Sequence, residues 1–393
     1  MDKFEKMDLS IYFTPLEITD GRYTGDSIGS KTHFFGKDSD FPEISDFDLV
    51  IFGAQEERNA KGNKGCAQAP KAIREKLYQL ESNWHKVKLA DLGDIMPGET
   101  IEDTYFALKT VIAQIIKLGK IPIVLGGSQD LTFANYQAYE QLEQVVNIVS
   151  VDNKLDLGDV DQPINSKGFL NKIILHQPNY LFNYSNIGYQ TYFVSDEERR
   201  LMERLFFDIH RLGEVKRDIK EVEPIVRNAD MVTFDISAIR FADAPGNENT
   251  TPNGFNGEDA CAIARYAGLS DKLSSIGFYE LNPNFDTNHQ TAFLVSEMIW
   301  YFIEGFYNRK NDHLASSKKE LLKYIVATST EASEIVFYKN LKSDRWWMDV
   351  PYPESKLSKY RRHQLVPCSY SDYQEACHDK VPEKWWRNYH KLQ

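Results

Sequence analysis

The segment Ile121-Pro122-Ile123-Val124-Leu125 is apolar at every position. A strand covered by helices on both faces needs such a run, because neither row of side chains then meets water. Residues 48–55, 145–152, 231–237 and 273–281 share the pattern. Between and around these runs, residues 69–80, 101–118, 131–142, 196–207, 257–267 and 287–307 predict helices. The last carries Phe293, Met298, Ile299, Trp300, Phe302 and Ile303, a broad apolar stripe. Alternation of this kind predicts one α/β domain over residues 45–309, built on a parallel sheet. An N-terminal segment, residues 1–44, precedes it.

After Arg309 the pattern changes. Asn311-Asp312-His313 and Ser316-Ser317-Lys318-Lys319 read as a polar joint. Residues 310–393 are an aromatic-rich C-terminal extension with four of the six tryptophans, Trp346, Trp347, Trp385 and Trp386. Arg345, Arg361, Arg362 and Arg387 lie among Tyr352, Tyr360, Tyr370, Tyr373 and Tyr389. Trp, Tyr and Arg are the residue types of binding hot spots. The extension is therefore expected either to carry an oligomer or partner interface, or to staple itself to the α/β body.

Forty-six basic and fifty-eight acidic residues give a net charge of −12. That balance argues against a nucleic acid or an anionic membrane as partner. No apolar run approaches the ~20 residues of a spanning helix. The start, Met1-Asp2-Lys3-Phe4-Glu5-Lys6, lacks an apolar signal core, so a cytoplasmic protein is expected. Cys66, Cys261, Cys368 and Cys377 show no CxxC spacing. Cys368, Cys377 and His378 are read as ordinary residues, not as a zinc site.

Three apolar runs end in polar, partly acidic tips: Gly126-Gly127-Ser128-Gln129-Asp130, Asp152-Asn153-Lys154-Leu155-Asp156, and Asp235-Ile236-Ser237-Ala238-Ile239-Arg240. In an open parallel sheet such tips converge beyond the carboxyl ends of the strands. If the backbone stays extended, Asp152, Lys154 and Asp156 share a face, as do Asp235 and Ser237.

These tips resemble the ureohydrolases: arginases, agmatinases and formimidoylglutamases. That family places Gly-Gly-Asp-His-Ser, Asp-Ala-His-x-Asp and Ser-x-Asp-x-Asp-x-x-Asp-Pro after three strands. Further matches run in order: residues 65–74, Asp91-Leu92-Gly93-Asp94, Ala244-Pro245-Gly246 with Thr251-Pro252, and Glu280-Leu281-Asn282-Pro283 with Asp286. Asn59, Gly62 and Gly65 lean toward the formimidoylglutamase branch. The resemblance implies a three-layer α/β/α arginase-like fold around a mostly parallel eight-stranded sheet, often assembled into oligomers. It also implies two manganese ions held by two His and four Asp.

The chain departs from that pattern. Gln129 and Lys154 stand at the two His positions, Ser237 at the last Asp, and Arg240 at the Asp that follows. Asp152, Asp156, Asp235 and Glu280 are kept. Lys167 stands at the proton-relay His of arginases, and Asn63 where formimidoylglutamases usually have Arg. An ammonium cannot donate a lone pair to a metal. Lys154 is therefore expected at the vanished metal position, neutralising the carboxylates, with Arg240 assisting. The expectation is a metal-free, non-catalytic scaffold or interaction protein without cofactor. Two alternatives remain open. One is an amidine hydrolase with one Mn2+ on Asp152, Asp156 and Asp235; the other is a metal-free enzyme or sensor using Lys154 or Lys167.

Overall fold

The computed structural model describes residues 7–17, 22–312, 321–329, 333–353 and 361–392. The polar joint from His313 to Lys319, Tyr360 and the side chain of Arg361 lie outside them. Ten strands form the main sheet: β1 (Phe13–Thr14), β2 (Thr32–Phe34), β3 (Leu49–Ala54), β4 (Leu89–Ile95), β5 (Ile121–Leu125), β6 (Val146–Val151), β7 (Leu181–Tyr189), β8 (Asp208–Arg211), β9 (Met231–Asp235) and β10 (Ser275–Tyr279). Their order is β1-β4-β3-β5-β10-β9-β6-β7-β8, with β2 also pairing β4. All neighbours are parallel except β1. The sheet is wider than the eight strands expected because the N-terminal stretch supplies β1 and β2, both added on β4.

Every residue of β3, β5, β6, β9 and β10 is buried. Each is one of the apolar runs read from the sequence. The helices Ala69–Leu77, Gly257–Leu269 and Gln290–Tyr307 pack a core on one face with Ile51, Ile123, Val232 and Ile276. The helices Ile101–Lys117 and Leu131–Gln141 cover the other face over Val50, Phe52 and Val124. This is the expected three-layer α/β arrangement. No helix among the described residues is long and apolar enough to cross a membrane.

The C-terminal region forms a second sheet, which the sequence pattern did not reveal. Strands β11 (Leu321–Ala327), β12 (Glu334–Asn340), β13 (Trp346–Asp349) and β14 (Leu365–Cys368) pair antiparallel in that order. Trp346, Met348, Val366, Trp385 and Leu392 are buried in one cluster that includes Phe182 of β7. Charged side chains join this unit to the body. Arg345 meets Glu223 at 3.0 Å and Asp312 at 3.1 Å. Arg227 lies 4.4 Å from the Trp347 ring centroid and donates to the carbonyls of Trp346 and Cys368. Arg362 pairs with Asp230 at 2.7 Å, and Arg387 with Asp208 at 3.4 Å.

Candidate functional site

The carboxyl ends of β5, β6, β9 and β10 meet at one place. Gly126 and Gly127 let β5 end there. A Cβ on Gly126 would lie 2.1 Å from the Tyr279 ring, and one on Gly127 2.0 Å from the Glu56 carbonyl. Only glycine permits that approach, which gives the glycine pair a definite purpose. The tight turn aims the Gln129 N–H at Glu280 Oε1, 2.8 Å away. The Gln129 side chain donates to Thr233 Oγ1 at 2.9 Å, and its Oε1 is buried without a partner. Asp130 accepts from Ser128 and Tyr105 on the other side of the turn.

Asp152, Asp156 and Asp235 are buried, and one carboxylate oxygen of each lies within 4.8 Å of the other two. They reach this point by different routes. Asp152 directly follows β6, and its Oδ1 accepts the Lys154 N–H at 2.9 Å. Asp156 returns to the site through a left-handed turn, φ 49°. Asp235 ends β9, and its Oδ1 accepts the Ser237 N–H at 2.6 Å across a short 3-10 turn. The shared-face geometry expected from an extended backbone is thus replaced by two turns. Among the described residues this is the one group of three His, Cys, Asp or Glu side chains close enough to hold an ion. Cys368, Cys377 and His378 form no such group.

Glu280 is the fourth acid. Its Oε2 accepts from Asn63 Nδ2 at 2.7 Å, and its own carbonyl accepts from Asn63 and Asn247 at 2.8 Å. Its φ of 68° costs about 1–3 kcal/mol in a non-glycine residue, and these hydrogen bonds hold it there. Burial raises the Asp152 carboxyl well above the usual range, with the charges of Asp156 and Asp235 adding to it. Burial and the Asp235 charge push Asp156 up to about 7 and Glu280 up to about 8. Asp235 is also raised, again by burial. Two ionised oxygens at 4.8 Å repel by about 3.5 kcal/mol at an effective dielectric of 20.

Neither expected neutraliser sits in the cluster. The Lys154 ammonium lies 5.2 Å from the Phe193 ring centroid and forms no ion pair with the three aspartates. Its backbone is held by Asn186, which donates to the Lys154 carbonyl at 2.7 Å, and its charge reaches Asp156 and Asp235 without direct contact. Arg240 is exposed and pairs with Asp243 at 3.1 Å. Lys167 donates to Asn249 Oδ1 at 2.7 Å. Burial and the Lys154 charge lower its pKa.

Sequence profiles place this architecture. The profile described as "Arginase family" matches residues 47–304. The chain belongs to the arginase family. Formimidoylglutamase of Streptococcus gordonii is 27% identical over 263 residues, covering 62% of this chain and 79% of that protein. The Staphylococcus haemolyticus enzyme of the same name is 25% identical over 265 residues, covering 62% and 81%. Among solved structures, Trypanosoma cruzi formiminoglutamase with Mn2+ superposes with a TM-score of 0.61 at 21% identity. It covers 69% of this chain and all of that one. The agmatine ureohydrolase of Thermoplasma volcanium gives 0.59 at 22% identity, covering 73% and 97%. The family match ends at residue 304, before the second sheet begins at Leu321.

The donors present fit one hard divalent ion. Manganese takes oxygen donors, and three buried carboxylates converge with no cation in ion-pair contact among the described residues, although the charges of Lys154 and Lys167 partly offset the rise that burial gives Asp156 and Asp235. They do not fit two. Of the six arginase-family positions, Gln129 is turned onto Thr233, Lys154 outward over Phe193, and Ser237 carries no charge. The expectation of a metal-free site rested on Lys154 filling it, and that support is gone. Sequence reasoning did not find Thr233, Asn186 or Asn247. Thr233 lies inside a strand, where nothing distinguishes a supporting hydroxyl from a β-branched filler.

Proposed function

We propose that this chain is an arginase-family protein of the formimidoylglutamase type whose two-ion centre is reduced to a single divalent-cation site. It binds its ligand there as a non-catalytic scaffold and does not turn it over at the pace of two-ion enzymes. One observation carries the reading. The residues at both imidazole positions have their side chains committed elsewhere, while Asp152, Asp156 and Asp235 still converge on one point. A bound Mn2+ would supply Lewis acidity and a water of lowered pKa. Three carboxylates overmatch its two charges, so this donor set holds a cation more readily than it acidifies a water. Glu280, locked by Asn63 and the Gln129 N–H, offers its carboxyl to the positive end of an amidine, which would draw off the proton that burial and Asp235 otherwise hold there. With Lys167 at the relay position and bound to Asn249, no imidazole there shuttles a proton.

A second reading is a slow mononuclear hydrolase of linear amidines. It is favoured by Glu280 and the three aspartates, all of them kept and brought together. Manganese content after equilibrium dialysis, with hydrolysis of formimidoylglutamate, agmatine and arginine, separates the two. The expected result is one ion per chain and no release of formamide, ammonia or urea. The triple exchange Gln129→His, Lys154→His and Ser237→Asp is expected to take up a second ion. One ion with turnover selects the hydrolase reading. Two ions in the natural chain refute the single-ion proposal.

A further inference from the structure

On the same edge of the sheet, past β6, the loops after β7, β8 and β9 enclose a cavity of about 310 Å3. Arg211, Lys216 and Arg240 line it with Tyr192, Asn253 and other neutral residues, and no Asp or Glu lines it. The whole chain carries a net charge of −12, so a lining of three cations, two of them paired with Asp243 and Asp259 behind it, runs against its composition. We propose that this cavity binds a small oxyanion, a carboxylate or a phosphate, and that it is distinct from the acidic cluster. The inference does not rest on the single-cation reading.

The three cations come from three separate loops. Arg211 closes β8, and no described carboxylate pairs with it. Arg240 commits its Nε to Asp243, leaving its terminal nitrogens free to donate. Lys216 leans on Asp259 at 2.7 Å, outside the lining. Guanidinium groups suit oxyanions because they donate two parallel hydrogen bonds. Asn253 Nδ2 and the Tyr192 hydroxyl lie 3.4 Å apart, adding polar groups from two walls.

The walls are fixed before any ligand arrives. Gln190 Nε2 donates to the Asn253 carbonyl at 2.9 Å, joining the loop after β7 to residues 252–254. The Arg240 N–H donates to Phe255 at 3.0 Å, and the Phe241 N–H to Thr251 at 2.8 Å. Groups held in this way need little reordering on binding. A volume of about 310 Å3 admits a metabolite-sized anion, at the small end of ordinary ligand sites. The cavity wall is also the back of the acidic site. The Gln190 N–H donates to the Asn153 carbonyl, and Asn153 Nδ2 to the Ser237 carbonyl.

Calorimetric titration of the full chain with phosphate and, separately, with glutarate tests the proposal. Low ionic strength strengthens charged contacts, and protein stripped of metal beforehand, in chelator-free buffer, keeps the acidic cluster free of cations. Saturable binding of either anion at one site per chain is expected. Phosphate alone identifies a phosphate ligand, glutarate alone a carboxylate, and both a general oxyanion site. Arg211→Gln should weaken binding by about tenfold, the loss of one charge-assisted contact. Lys37→Gln, an exposed cation on the N-terminal segment paired with Glu17, should leave it unchanged. The proposal is overturned if neither anion binds the natural chain. It is equally overturned if Arg211→Gln and Arg240→Gln both bind as well as the natural chain.

Discussion

Replacing Asp156 by asparagine should make the metal-free protein more stable, by a margin that grows as pH rises from 4 to about 7. Asp156 sits within 4.8 Å of two other buried carboxylates, with its pKa pushed up to about 7 from 3.8. The folded state therefore holds its proton more tightly than the unfolded state. The stabilisation from that proton is complete below the unfolded value of 3.8 and is lost as pH rises through about 7. A shift of about three units corresponds to about 4 kcal/mol at 1.36 kcal/mol per unit. The asparagine amide keeps the shape and the donor of the protonated acid and never ionises. Urea unfolding in EDTA at pH 4 and pH 8 reads the effect, and the difference between variant and natural chain cancels the titrations of groups remote from the cluster. At pH 4 the two should lie within about 1 kcal/mol. At pH 8 the variant should be more stable by about 2–4 kcal/mol. Added Mn2+ should close that gap by stabilising the natural chain, because the ion binds the folded carboxylates. A variant destabilised equally at both pH values, with no response of the natural chain to Mn2+, would refute the reasoning.

Two further outcomes follow from placements that differ from expectation. Lys154→Met should cost about 1 kcal/mol or less in urea unfolding, the size of an exposed cation–π contact, because its ammonium lies over Phe193 and outside the carboxylate cluster. Arg227→Met should cost about 3–5 kcal/mol, since it removes a buried charge that contacts Glu223, Trp347 and two carbonyls of the C-terminal sheet. Limited proteolysis of that variant should release the C-terminal unit first.

The central sheet was legible because parallel strands buried on both faces leave runs that few other structures need. β7 escaped notice for the opposite reason. Its Asn183 and Ser185 look like loop residues, yet both are buried and reach Asp208 on β8. In the C-terminal sheet, β13 and β14 were hidden by strand length, with four residues each, too few to show a period. At the site, residue identities were legible and directions were not. Treating residues 152–156 as extended put Lys154 beside its neighbours. β6 stops at Val151, however, and the left-handed turn at Asp156 brings the carboxylate back while Lys154 points away. A turn set by one residue's φ leaves no periodic trace in a sequence.

The charges that join the second sheet to the body also bear on descent. Asp208 and Asp230 are buried in the body, and the extension supplies Arg387 to the first and Arg362 to the second. A recombination that moved the extension onto another body would deliver cations with no acids to receive them. One that deleted it would strip a counter-charge from each of two interior acids. The two parts are thus matched in charge, and separating them leaves unpaired charge on both sides.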